Sequence, residues 1–454
     1  MAGQIGGRFL TGSTMSHVVR MTMTGSLGVT FMFLVDAANL FWVSLLGVER
    51  LLAALGFAWT IQFFTVSFGM GMMIAVTATV ARLIGRSERI EARRQVTVCA
   101  ISAFVMQSLV DITILVFRRD LLALAGAEGQ TLDEAARYLA ISVPSLPFMA
   151  LGMVGSAVLR AEGDAWRAMN VTVISGVTSM LVDPLLILGL GLGLDGAAMA
   201  VVLARLISGA LSIWYVLRVH DLVARISLAD FRRLFVPFVI VAAPAVLTQL
   251  STPFGNYLMT AVIAGHGDSA VAGWAVISRL TVLAFGGLFA LSGAIGGIFG
   301  QNYGALRFDR VRRTYRDALI FCVIYTSVAW AVLAMSTGFV IRGFGLGGEG
   351  AAAVAAFALI GAGAYTFNGA LYVANAAFNS LGRPLWSTAF NWMRDGLFVG
   401  PLAATLSASF GAAGAVYGHA AAGVLAGALA VLAGWRFVAR LDGQERPSLL
   451  RRRS

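Results

Sequence analysis

The chain reads as an all-α polytopic membrane protein, with twelve transmembrane helices in two six-helix lobes related by a parallel repeat. Three observations predict this. Hydrophobic residues make up 59% of the sequence and charged residues 12%, with a mean hydropathy of +0.83. A soluble domain carries about 25% charged residues. The apolar runs reach about 20 residues and do not alternate, which suits helices and excludes the strands of a barrel. Finally, two separate loops of the first half recur in the second half at one common offset in the numbering.

Polar punctuation sets the spans at 20–48, 51–81, 95–117, 132–159, 167–193, 196–217, 235–264, 269–300, 314–340, 351–380, 385–410 and 413–438. The first twenty residues hold no apolar core of signal-peptide type, so the first span is expected to act as its own insertion signal. All 33 basic residues are Arg. Twenty-five of them fall at the termini and in alternate loops. These are Arg8, Arg20, Arg82, Arg86, Arg89, Arg93, Arg94, Arg160, Arg167, Arg218, Arg225, Arg232 and Arg233, followed by Arg307, Arg310, Arg312, Arg313, Arg316, Arg383, Arg436, Arg440, Arg446, Arg451, Arg452 and Arg453. The opposite loops hold only Arg50, Arg118, Arg119, Arg137 and Arg342. The positive-inside rule therefore places both termini in the cytoplasm, in a bacterial cytoplasmic (inner) membrane. The net charge of +11 faces anionic lipid head groups, and no nucleic acid is needed to explain it. Cys99 and Cys322 have no metal or disulfide spacing and read as small core residues.

The repeat pairs "ARLIGRSERIEARR" (81–94) with "GQNYGALRFDRVRR" (300–313), and "LRAEGDAWRAM" (159–169) with "FNSLGRPLWST" (378–388). Gly85 and Gly304, Arg93 and Arg312, Arg94 and Arg313, and Gly163 and Gly382 are all separated by the same interval. Six spans per half is an even number, so both halves run in the same direction and substrate is expected between them near mid-membrane. The expected organisation is a first lobe over 1–217 holding a cation site, a linker over 218–234, a second lobe over 235–438 and a basic cytoplasmic tail over 439–454. The linker, "LRVHDLVARISLADFRRLF" (217–235), is amphipathic and reads as a surface helix.

Charge inside the spans marks the candidate site. A carboxylate near the bilayer centre costs about 2.5–3.5 kcal/mol on insertion scales, so it normally faces a cavity or a partner. Asp36 follows Arg20, and Asp183 follows Arg167, at one and the same interval. At about 1.5 Å per residue, both stand roughly 24 Å above the basic border. Two carboxylates at one depth predict a shared site that titrates as a coupled pair and can carry a proton, or hold a Na⁺ between them. Asp111 lies at similar depth but close to Arg118 and Arg119, its expected partners. Arg205, Arg279, Arg394 and Asp395 also fall within spans. Adjacent helical residues diverge, so Arg394 and Asp395 are expected to pair with other helices. Pro184 directly after Asp183, Pro144 and Pro147, and Pro237, Pro244 and Pro253 mark bends.

These residues together resemble the multidrug and toxic compound extrusion (MATE) transporters, particularly the DinF-like branch. The resemblance rests on "LVDAANLFWVSLLG", "LRAEGDAWRAM", "LVDPLLILGLGLGLDGAAMA" and "FGQNYGALRFDRVRR", and runs from the first span to the eleventh. It implies export of bulky organic cations against uptake of H⁺ or Na⁺, with Asp36 and Asp183 matching the two carboxylates of a first-lobe cation site. Asn39, Tyr138 and Ser179 are candidates to support that pair. Ser179 stands where relatives often carry Asn, and Val201 where they often carry Thr. Fewer oxygens remain for Na⁺, which favours H⁺. Relatives with a second-lobe cation site carry acids in the seventh and tenth spans. Here those spans show Gln249, Asn256, Asn368 and Asn375 and no acid, so such a site is not expected.

Candidates for the path of a flat organic cation are Phe33, Trp42, Trp59, Phe63, Met180, Tyr257 and Trp274, with Asn256, Asn368 and Asn375 as polar lining. Residues of these types more often face lipid or other helices. The expected function is a monomeric, cation-coupled multidrug or metabolite exporter working by alternating access, with cationic or amphiphilic substrates and no cofactor beyond H⁺ or Na⁺. The alternative is a lipid-linked precursor flippase of the same broad superfamily, which would need a cationic cavity. No H-E-x-x-H, G-x-S-x-G or P-loop motif suggests an enzyme.

Overall fold

The computed structural model describes residues 7–441. Arg446, Arg451, Arg452 and Arg453 of the basic tail lie outside the described residues. Helices α1 Thr14–Ser44, α2 Glu49–Gly85, α3 Arg89–Leu124, α4 Gly129–Ser142, α5 Leu146–Glu162, α6 Ala165–Pro184 and α7 Gly193–Trp214 form in order. They are followed by α8 Leu228–Ala264, α9 Asp268–Gly304, α10 Phe308–Gly343, α11 Gly348–Ala356, α12 Ala362–Ser380, α13 Pro384–Trp392 and α14 Val399–Ala439. Among the described residues, eleven helical runs are long and apolar enough to cross a membrane. This is a multi-pass α-helical membrane protein.

The breaks within these runs have local causes. Pro144 interrupts the run from α4 to α5 with a 3₁₀ turn at Val143–Ser145, because proline offers no backbone N–H to continue the helix. Pro184 ends α6, and the next turn widens to a π-helix over Leu185–Gly189. The last run, Pro384–Ala439, covers both final stretches read from the sequence. Inside α14 two helices meet at a kink, where Gly411 adopts φ 60°, ψ −147°. That conformation is essentially confined to glycine. The Ala412 N–H just beyond it donates to Glu349 Oε2 at 2.7 Å, so a carboxylate caps the helix that follows.

Two compact units emerge. One takes in 7–22, 81–87 and 251–441, and the other 23–80 and 88–250. In the second of these, α5 packs on α3 and α7, and α7 also packs on α6. In the first, α12 packs on α9, α10 and α14. The repeat glycines meet within the first unit. A Cβ on Gly85 would stand 2.7 Å from backbone carbons of Gln301, and one on Gly304 would stand 3.0 Å from the Arg82 carbonyl carbon. Arg82 and Gln301 are themselves equivalent positions of the repeat, so the contact is reciprocal. Gly163 and Gly382 likewise share a left-handed backbone, with φ of 86° and 90°.

The linker differs from the sequence reading. Residues 220–227 are not helical, and helix resumes only at Leu228. The reason is a set of donors on α3. Arg89 Nη2 donates to the His220 carbonyl at 2.6 Å and Arg93 Nε to the Val223 carbonyl at 3.0 Å. Thr97 Oγ1 donates to the Ala224 carbonyl at 2.9 Å and lies 3.2 Å from the Ala224 N–H. With Leu222 buried, several backbone groups of the strap find partners on α3 without a helix.

Candidate functional site

The site in the unit spanning 23–80 and 88–250 begins with a helix crossing. On α1, Phe31, Val35 and Asn39 recur at every fourth position and share one face. On α6, Gly176 and Asp183 lie two turns apart on one face. A Cβ on Gly176 would stand 2.8 Å from Val35 Cγ2 and 2.9 Å from Phe31 Cε1, so the absent side chain sets the close approach. Two turns further along α6, Asn39 Nδ2 donates to Asp183 Oδ1 at 3.1 Å. Asp183 is fully buried, and its Oδ2 has no hydrogen-bond partner among the described residues. Asp36 lies one turn before Asn39 on α1 and is exposed.

Around this pair lies a polar network. Tyr138, on α4, feels the charges of Arg205, Asp183 and Asp36. Arg205, on α7, lies within electrostatic range of Asp111 and Asp36. Its guanidinium donates to the Ser142 carbonyl at 2.9 Å, to Ser145 Oγ at 3.2 Å and to Gln62 Oε1 at 2.6 Å. Gln62 Nε2 in turn donates to Ser142 Oγ at 2.7 Å. A cation held by neutral dipoles keeps its charge available to the acids nearby. The structure thus brings Asp36, Asn39, Tyr138 and Asp183 into one electrostatic neighbourhood. Ser179 is buried on the same helix as Asp183. Sequence reasoning missed Gln62, Ser142, Ser145 and Gln107. A lone polar residue in an apolar run was the available signal for Gln62, and a place one helical turn before Asp111 was the signal for Gln107.

Asp111 does not pair with its expected partners. Arg118 Nη1 donates to the Leu115 carbonyl and Arg119 pairs with Asp133. Asp111 points inward from α3 instead, and accepts from Gln107 Nε2 at 2.9 Å.

The other unit holds a second polar cluster, and here too the pairing departs from expectation. Arg394 and Asp395 bind each other, with Nε–Oδ1 and Nη2–Oδ2 both at 2.8 Å, and both are buried. They lie in a π-helical turn, Met393–Phe398, in which the long Arg side chain folds back onto its neighbour. Arg394 Nη1 also reaches Asn368 Oδ1 at 3.2 Å, and Ser251 Oγ donates to Asp395 Oδ2 at 2.9 Å. Asn375 Oδ1 accepts from Asn391 Nδ2 at 3.0 Å. Asn368 and Asn375 are therefore buried and engaged with other helices.

The aromatic candidates scatter. Trp59 stacks on Phe63, Trp42 meets Phe41 edge-on, and Trp274 meets His419 edge-on. Phe33 and Met180 are half-buried, and Asn256 and Tyr257 are exposed.

Comparison with known proteins gives a consistent result. A family model described as MatE matches residues 23–185 and 244–404. The chain is 25% identical over 393 residues to the FAD transporter of Shewanella oneidensis, covering 85% of this chain and 87% of that protein. It is also 25% identical over 248 residues to the multidrug export protein MepA of Staphylococcus saprophyticus, covering 53% of this chain and 54% of that protein. The solved structure of a mutant of the Vibrio cholerae MATE transporter VcmN matches with a TM-score of 0.89 at 22% identity, over 95% of this chain and 99% of that one. That likeness is one of fold.

Proposed function

The chain belongs to the MatE family, and from that premise we propose that it is a secondary active exporter of small organic molecules, driven by inward movement of protons. Asp36 and Asp183 are the coupling carboxylates, and alternating access between two six-helix lobes carries the cycle. In this reading twelve spans put both termini on one side of a bacterial inner membrane, the Arg bias makes that side the cytoplasm, and the protein works as a monomer. Substrates are amphiphilic or cationic organic molecules. The relatives compared above are named as an FAD transporter and a multidrug export protein.

One observation carries this reading. Asp183 is fully buried with one oxygen held by Asn39 and the other left open. A buried carboxylate oxygen without a donor is costly while ionised, and a proton removes that charge. Proton coupling fits better than Na⁺ because the groups at 179 and 201 are Ser and Val, which leave few oxygens to surround a metal ion. In this reading Asp36, exposed on the same helix as Asn39, is the acid that exchanges protons with the aqueous side.

A second reading of the substrate has its own support. The relative matched over most of its length is named an FAD transporter. A flavin dinucleotide is thus a second substrate candidate, anionic where the first reading is cationic.

Ethidium efflux and flavin efflux from vesicles carrying the protein test both. Efflux of either under a pH gradient without Na⁺, lost in Asp36→Asn, is the expected result. Efflux only under a Na⁺ gradient would sink the proton assignment.

A further inference from the structure

The same unit holds a second carboxylate built on the same plan as Asp183. Asp111 is 3% exposed and Gln107, one turn before it on α3, is 0% exposed. Gln107 Nε2 donates to Asp111 Oδ1 at 2.9 Å. Two atoms are left over, Asp111 Oδ2 and Gln107 Oε1, both buried and both without a hydrogen-bond partner among the described residues. Each of them is an acceptor when Asp111 is ionised, so neither can satisfy the other.

A single proton resolves both. Bound to Asp111 Oδ2, it donates to Gln107 Oε1 while Nε2–H continues to donate to Oδ1, and the acid and amide close a ring of two hydrogen bonds. A metal ion suits the place poorly. It would find two oxygens there, against surroundings that include the Met153 side chain: a Cβ on Gly69 of α2 would stand 2.9 Å from Met153 Sδ and 3.8 Å from Gln107 Oε1. The charged group that acts on Asp111 is Arg205 of α7. Arg118 and Arg119, on Asp111's own helix, are engaged elsewhere. Arg205 also lies within electrostatic range of Asp36, so Asp111 and Asp36 share one cationic neighbour.

We propose that Asp111 and Gln107 form a further proton site, an acid–amide pair loaded and emptied once per transport cycle. The site rests on the proton-coupled reading above and adds one proton to what Asp36 and Asp183 carry. The step is association and release of a proton at Oδ2, with no bond to substrate.

Asp111→Asn is the informative variant, because its amide has the shape of the neutral acid and can keep both hydrogen bonds. Purified protein in liposomes, with membrane potential clamped, gives the proton-to-substrate ratio. The readout is the slope of the logarithm of ethidium accumulation against imposed pH difference. Asp111→Asn should still transport, with that slope lowered by one proton. In pH-difference infrared spectra the wild type should show a protonated-carboxyl band that Asp111→Asn lacks. An unchanged slope, or difference spectra that coincide in the two proteins, would overturn the proposal and leave Asp111 a static neutral acid. A wild type with no slope at all would mark failure of the proton-coupled reading itself.

Discussion

Asn39 and Asp183, far apart in sequence on α1 and α6, share one hydrogen bond of 3.1 Å inside the protein. That bond joins the two helices at the point where both carry their acids. Asn39→Ala would leave Asp183 buried with neither oxygen held. Losing a donor to a buried group costs about 1–3 kcal/mol. Lower thermal stability in detergent, together with weaker transport, is the expected result. Asn39→Ser should recover part of both, and equal behaviour of Ala and wild type would remove Asn39 from the site.

Asp36→Asn should abolish proton-coupled export while leaving insertion and melting temperature close to wild type, because the residue is exposed and the change is isosteric. Asp183→Asn should damage transport or change its pH profile. A profile identical to wild type would take Asp183 out of the mechanism.

The reciprocal contact of Gly85 with Gln301 and of Gly304 with Arg82 leaves no space for a side chain, and the neighbours are backbone atoms. Gly85→Ala and Gly304→Ala should each lower stability by about 1–3 kcal/mol, the usual cost of overpacking. Gly56 on the same helix as Gly85 has nothing within 4 Å of its Cβ position. Gly56→Ala should be neutral or should stabilise by up to about 1 kcal/mol. Thermal melts of the three variants decide it, and similar losses at all three positions would contradict the packing argument.

Asp164 caps α6, accepting from the Arg167 N–H at 3.2 Å, and lies 3.0 Å from His220 Nε2. Burial alone would raise its carboxyl, but the hydrogen bonds from His220 and Arg167 outweigh that and hold it well below the usual carboxylate range. The folded value is therefore below the unfolded one of about 3.9. The stability it contributes is fully present above roughly pH 4 and is lost as pH falls below that. Asp164→Asn keeps a good N-cap but loses the charge that faces Arg167 and His220, which should cost about 1 kcal/mol at neutral pH. It should also flatten the acid limb of the stability profile. Parallel acid limbs in mutant and wild type would count against this.

Gly411→Ala forces a side chain into φ 60°, ψ −147° and brings its Cβ to 2.9 Å from Glu349 Oε1. A cost of about 1–3 kcal/mol is expected from the backbone alone. A melt no lower than wild type would mean that α14 straightens at little cost.

The class of the protein is legible in its amino acids alone. Composition and run length demand membrane helices whatever their packing, because no lipid-facing backbone can go unpaired. The positions of Asp36 and Asp183 were legible for the same reason, since a carboxylate in an apolar run is conspicuous. The common offset of the two loop pairs was legible too, although only the structure brings Gly85 and Gly304 into contact with each other's helix. Side-chain partners were not legible. Asp111 turns to Gln107 and away from Arg118 and Arg119, Arg394 folds back on Asp395, and residues 220–227 stay non-helical against Arg93 and Thr97. In each case short-range geometry chose among several chemically acceptable partners. A helix's rotation, a widened turn and the reach of one Arg are set by packing across the fold, and packing is what a linear pattern does not contain.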